Sequence, residues 1–341
     1  MEKFTEIFVD CTSDGTKIPK DEYLEFGKNI IIDQGNNIIA GYTDNDDGLY
    51  TDVPAIIFGD HTRIVKYVDR PFFLGADGVK LLKSKKDGAN YKYLYYALKN
   101  ARIPDTGYNR HFKWLKEILI PYPNITRQKK IVTILDKLSS IIEKRKTELD
   151  YFDTLIKARF VEMFGDLNYN PMGWDRRALE DITELITDGE HATPRRTDKG
   201  IYLLSARNVF NHCLQLDDVD YIDEEEYERI SRRITPQAGD VLLSCSGTVG
   251  RCCCVPEGLK FQMVRSTAIL RFKDIINPVF AEYMITSDYV QKQIDKAKTA
   301  SSQANLFQGK IAKLKGFVPP MDLQNEFADF VKQVDKSKIV V

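Results

Sequence analysis

Gln128-Lys129-Lys130-Ile131-Val132-Thr133-Ile134-Leu135-Asp136-Lys137-Leu138 and Gln324-Asn325-Glu326-Phe327-Ala328-Asp329-Phe330-Val331-Lys332-Gln333-Val334 carry one pattern twice. The offset of 196 positions from Gln128 to Gln324 also takes Ile131 to Phe327, Leu135 to Val331 and Leu138 to Val334. Working backwards, Leu115-Lys116 leads through Ile118-Leu119-Ile120 to Pro121, and Leu314-Lys315 through Phe317-Val318 to Pro319-Pro320. Each copy reads as a short strand, a proline stop and a helix opening near a glutamine. A repeat of this kind governs the architecture, because each copy ends a unit of similar design.

Further upstream, each half has an apolar strand, a glycine-containing turn and a second strand. These are Ala55-Ile56-Ile57-Phe58-Gly59 before Thr62-Arg63-Ile64-Val65, and Val241-Leu242-Leu243 before Gly247-Thr248-Val249-Gly250-Arg251. Both are hairpin signals. A further strand follows in each half (Val79 to Leu82; Ala268 to Phe272), then a helix (Tyr91 to Lys99; Val279 to Ile294).

Between the halves, Ile131, Leu135, Leu138, Ile142, Leu149, Phe152, Ile156 and Met163 recur at alternating four- and three-residue spacing, interrupted by Arg145 and Arg159. That is a coiled-coil seam. The helix is expected to run from Thr126 to Phe164, about 58 Å, and to end at Gly165, before Asn168-Tyr169-Asn170-Pro171. The second copy, Gln324 to Val341, is about half as long and offers Phe327, Val331, Val334 and Val341 to the same seam. Antiparallel pairing of the two helices is the expected way to bury both. The fold class is therefore α/β (α+β) with an internal two-fold repeat: two globular domains separated by long coiled-coil spacer helices.

A chain of 341 residues exceeds one ordinary core, so two domains are the default. The 43% hydrophobic and 29% charged content is that of a soluble protein without a membrane span. Met1-Glu2-Lys3-Phe4-Thr5-Glu6 lacks a secretory signal, so a cytoplasmic location is expected. Cys11, Cys213, Cys245, Cys252, Cys253 and Cys254 are expected as reduced thiols. Cys252, Cys253 and Cys254 cannot all reach one ion, since neighbours on a strand point to opposite faces; they read as small apolar strand residues. The net charge of −1 is not that of a protein that grips DNA alone.

Three stretches carry a family resemblance: Lys157-Ala158-Arg159-Phe160-Val161-Glu162-Met163-Phe164-Gly165-Asp166, Asp188-Gly189-Glu190-His191-Ala192-Thr193-Pro194, and Gly239-Asp240-Val241-Leu242-Leu243-Ser244 leading to Gly247-Thr248-Val249-Gly250. In this order, together with the repeat, they resemble the specificity subunits of type I restriction-modification enzymes. The first half has no counterpart of the Asp188 to Pro194 stretch. The resemblance implies target recognition domains at 1–122 and 167–319 and spacer helices at 123–166 and 320–341. It implies a non-catalytic subunit that reads a bipartite, asymmetric site in double-stranded DNA. Its implied partners are two methyltransferase subunits and the restriction subunits, which bind S-adenosylmethionine, ATP and Mg²⁺; this chain is expected to bind no cofactor itself.

The sequence carries no motif that contradicts this. It has no G-x-x-x-x-G-K-[ST] phosphate loop. Val318-Pro319-Pro320-Met321 lacks the acid or amide that an adenine methyltransferase places before its prolines, and Pro104-Asp105 has no acid-x-Lys partner up to Leu138. His61, His111, His191 and His212 are scattered, so no metal site is expected.

Base edges and phosphates are read by Arg, Lys, Asn, Gln, Ser, Thr and His on loops. In the first half the candidates are Gln34, Asn36 and Asn37 in Asp33-Gln34-Gly35-Asn36-Asn37, His61 and Arg63 around Thr62, and Asn109 and Arg110 in Tyr108-Asn109-Arg110-His111. In the second half they are His191, Thr193, Arg195, Arg196 and Lys199, then Arg207 and Asn208, then Ser246 and Thr248. Ser246 to Gly250 reads as a hairpin turn and as a candidate contact to the DNA backbone. The acidic run Asp217, Asp218, Asp220, Asp223, Glu224, Glu225 and Glu226 is expected to be a solvated outer loop and helix start, away from DNA. Two alternatives stand beside this reading: a coiled-coil scaffold whose globular units bind protein, and a DNA-reading subunit of a methyltransferase that has no restriction partner.

Overall fold

The structure is a computed structural model that describes residues 1–75, 78–104, 107, 109–299 and 304–340. Asp105, Tyr108 and Val341, named above, lie outside the described residues. The chain divides into two compact units, Met1–Lys144 and Arg145–Val341.

In the first unit, strands Phe8–Asp10, Val79–Ser84, Ala55–Gly59 and Val65–Val68 form an antiparallel sheet in that order. Strands Gly41–Thr43, Asn29–Ile32 and Phe72–Leu74 form a second sheet, in which the last pair is parallel. Glu2–Lys3 pairs with Leu119–Ile120. Strand Ala55–Gly59 is buried throughout and faces two cores: Ile56 and Phe58 lie with Phe4, Leu82, Leu94 and Leu115, while Ala55 and Ile57 lie with Ile30, Phe72 and Leu81. Strand alternation thus lets one strand serve both layers.

The second unit repeats these three sheets and adds a short hairpin, Val209–Phe210 with Cys213–Leu214. Thr183–Asp188, Thr267–Phe272, Val241–Ser244 and Cys252–Cys254 form the four-stranded sheet. Asp220–Ile222, Ile201–Leu204 and Phe261–Met263 form the three-stranded sheet, again with one parallel pair. Asp175–Ala178 pairs with Lys315–Val318. Cys252 lies in one core and Cys253 in the other, so neighbouring thiols do face opposite sides of their strand. Burial pushes both thiols up.

Several elements differ in extent from the sequence expectation. The partner of Ala55–Gly59 is Val65–Val68, because Thr62 and Arg63 turn the chain: Thr62 Oγ1 donates to Gln34 O and Arg63 has φ +62°. Likewise 247–251 is a loop, closed by Ser244 Oγ donating to Thr248 O, and the strand is Cys252–Cys254. The helix expected from Val279 to Ile294 is two, Pro278–Thr286 and Asp288–Ala297. Ser287 takes an extended backbone and its hydroxyl donates to Met284 O, the local competition by which serine breaks a helix.

The long helix is Ile125–Phe164, 40 residues or about 60 Å. Asn124 caps it by accepting from Arg127 N–H. Gly165 ends it at φ +76°, a conformation that disfavours any side chain. The repeated glutamines explain themselves here. Gln128 Nε2 donates to Pro123 O and Gln324 Nε2 to Pro319 O, both at 2.8 Å and both five residues back.

Within the second unit, helix Met321–Val340 lies against the end of the long helix. Glu326 pairs with Arg159 and Lys338 with Asp153, so the two run antiparallel. Phe160, Phe164 and Phe327 pack ring against ring. The seam is buried only in part: Ile156 is covered, whereas Leu138, Ile142 and Leu149 are exposed.

Candidate nucleic-acid interface

In the first unit the three expected loops converge. Gln34 Oε1 accepts from His61 N–H and Gln34 O accepts from Thr62 Oγ1, joining the first loop to the second. His111 N–H donates to Asp60 O, and Asp60 Oδ1 accepts from Phe112 N–H, which joins the third. Asn36, Asn37, Asn109 and Arg110 are exposed on this cluster, and His61 and Arg63 are half-buried. Gln34, half-buried, holds the loops together, and His111 is fully buried with its Nδ1 at 3.0 Å from Asp60 O.

In the second unit the convergence point is a turn that sequence reasoning passed over, Val264-Arg265-Ser266 between strands Phe261–Met263 and Thr267–Phe272. Arg265 N–H donates to Glu190 O, Ser266 O accepts from Cys245 N–H, and Ser266 Oγ accepts from Ala206 N–H. One turn therefore pins the loops that begin at Gly189, Ser205 and Cys245. Gly189 fits there only without a side chain, since a Cβ would come within 2.5 Å of Val264 backbone. The first unit makes the matching bond, Asp60 N–H to Gly78 O at 2.7 Å against Cys245 N–H to Ser266 O at 2.7 Å. Arg265 itself is exposed, and among the described residues its guanidinium makes no ion pair. No motif marks it; the only signal is a cation between two short strands.

The remaining candidates are divided. His191 is exposed with Nε2 3.0 Å from Asp188. Thr193, Lys199 and Thr248 are exposed, and Ser246 donates to Asn305 Oδ1. Asn208 is buried and fully used: it accepts from Ser205 N–H and donates to Gln215 O and Asp218 O, so it shapes its loop and cannot reach a base.

Arg195, Arg196 and Arg207 form a surface cluster with members of the acidic run. Arg195 pairs with Asp223 and Glu225, Arg196 with Asp220 at 2.9 Å, and Arg207 with Asp220 at 2.9 Å. Burial tends to raise the Asp220 carboxyl, but Arg196 and Arg207 outweigh it and hold the group below the usual carboxylate range. Asp223 is lowered by Glu226 N–H and then by Arg195, for it also caps helix Glu224–Ser231. The acids after Asp223 suit the first turn of that helix, so the expected helix start is found there.

The motif residue Asp240 has a different role. It is buried and holds Arg271 in a two-pronged pair, with both N···O distances 2.7 Å, and it accepts from Gln237 N–H. Among the described residues no group of His, Cys, Asp or Glu is arranged to hold a metal ion, and no helix is long and apolar enough to cross a membrane.

The sequence profile of the type I restriction modification DNA specificity domain matches residues 3–151 and again 171–340. The chain belongs to that family. Its two matches fall on the two copies of the sheet topology described above. A type I restriction enzyme specificity subunit from Escherichia coli is 30% identical over 133 residues, which is 35% of this chain and 33% of that protein. A second, from Methanocaldococcus jannaschii, is 28% identical over 169 residues, 41% of this chain and 38% of the relative. The chain thus spans a third or somewhat more of these two relatives. The crystal structure of a type I restriction-modification S subunit from M. genitalium shares the fold, with a TM-score of 0.61 at 16% identity over 99% of this chain and 89% of that one.

Proposed function

We propose that this chain is a DNA-reading specificity subunit of a type I restriction-modification system, with one half-site read by each unit. The observation that carries the proposal is the repeated convergence of loops at one end of the same sheet topology in both units, on a chain that belongs to the specificity-domain family. Different side chains on matching loops suit two different half-sites, hence a bipartite and asymmetric target. Methyl transfer and ATP-driven cleavage belong, in this proposal, to two methyltransferase subunits and the restriction subunits, which bind S-adenosylmethionine, ATP and Mg²⁺. The reaction would then take place in the cytoplasm, and the chain would have no catalytic residue of its own.

The net charge of −1 supports shared DNA binding, because few counterions are released by such a chain alone. The expected result of a binding titration is poor DNA retention by the isolated protein and strong, sequence-specific retention by its complex with methyltransferase subunits. Nanomolar specific binding by the isolated chain would contradict the proposal.

A further inference from the structure

Resting on that proposed function, we propose that Lys66 is a positioning residue: its buried amine fixes the Asp33–Asn37 loop of the first unit in the shape that reads DNA. Lys66 sits on strand Val65–Val68 with its side chain only 3% exposed. Its Nζ donates to Asn37 O at 2.6 Å and lies 3.5 Å from Asp33 Oδ1. The same Asp33 oxygen accepts Gly35 N–H at 2.8 Å. One ammonium therefore ties both ends of a five-residue loop to a strand of the main sheet.

The internal repeat makes the position informative. Lys66 pairs with Ile57, two residues before Gly59, and Cys253 pairs with Leu242, two residues before Ser244. Gly59 and Ser244 hold the same place in the two sheets, opposite Val79 and Thr267. The second unit thus fills this site with a buried thiol, so the sheet does not need a charge there. Burying an ammonium is costly unless partners repay it, and burial does push the Lys66 amine down against the opposing pull of Asp33. What the lysine supplies beyond a thiol is reach and a donor, and both are directed at the loop that carries Gln34, Asn36 and Asn37.

The test uses the chain assembled with its methyltransferase subunits, comparing wild type with Lys66→Met, which keeps the apolar stem and removes the donor. Two readouts are taken: hydrogen exchange along the loop and along strand Ala55–Gly59, and the base preferences selected from a pool of randomised duplex DNA. Exchange in the loop is expected to quicken by about tenfold while the strand stays protected. Base discrimination at one half-site is expected to relax by about tenfold, with the other half-site unchanged. An unmoved loop, or a loosened loop with both half-sites read as before, overturns the proposal. If wild type selects no consensus, the proposed function fails, and the reading role of Lys66 with it, whatever the exchange rates. Should Lys66→Met fail to fold, Asp33→Ala on the more open side of the same bridge is judged by the same outcomes.

Discussion

Asp240 and Arg271 show what the most legible motif of the second unit is for. Its aspartate is a buried ion-pair partner that locks the start of a central strand to its neighbour. Removing Asp240 leaves the half-buried Arg271 without its carboxylate, so Asp240→Ala is expected to destabilise the second unit by about 2 kcal/mol, seen as a lowered thermal midpoint. A midpoint equal to wild type would show the pair to be dispensable. Arg265 belongs at the same scale. Arg265→Ala in the methyltransferase complex is expected to relax recognition at one base of one half-site, while Lys at this position keeps affinity but loses two-pronged base contact. Unchanged recognition with Ala would remove Arg265 from the interface.

Asp220 pairs with both Arg196 and Arg207, so under the proposed function it competes with DNA phosphate for them. Asp220→Asn is expected to raise the affinity of the complex for DNA on the order of threefold, as read by titration at constant salt. The sign of its pH effect follows from its lowered carboxyl. Its contribution to stability is present above the ordinary carboxylate range and lost as pH falls through the depressed value, so Asp220→Asn should flatten the acid limb of the stability curve. Weaker DNA binding by this variant would mean that the arginines act only when oriented by their acids.

At the scale of elements, periodicity revealed most of the fold. The strand Ala55–Gly59 and the helix Tyr91–Lys99 fall where their residue patterns put them, and the helix ending at Phe164 does too. What periodicity missed are local side-chain decisions: Ser287 splitting a helix, and Thr62 and Ser244 closing turns where strands were expected. The candidate site was less legible because its assembly depends on long-range bonds. Nothing in the local sequence says that Asp220 will meet Arg196, or that Ser266 will hold both Ala206 and Cys245. Equally, Asn208 looks like a reader until its burial and partners are known. The middle of the long helix offers an element-scale experiment. Ile134, Leu138, Ile141 and Ile142 are exposed, so one heptad inserted after Ser140 disturbs no buried contact. It adds about 10.5 Å of helix, or about three base pairs of unread DNA. The proposed function expects the half-site bases to persist while the gap between them grows; an unchanged gap with full activity would show that this helix does not set it.

For the whole molecule, the repeat joins the sequence to the function. One topology occurs twice, yet matching positions carry Lys66 and Cys253, and the candidate loops of the two units have different sequences. Two such units suit a split target of unlike halves better than a continuous or palindromic one. The most direct test is to sequence the methylated adenines in DNA from cells that express this chain together with its methyltransferase subunits. A single target is expected, made of two different short half-sites roughly one DNA turn apart and separated by unread bases. Methylation without a consistent sequence, or confined to one continuous or symmetric site, would contradict it.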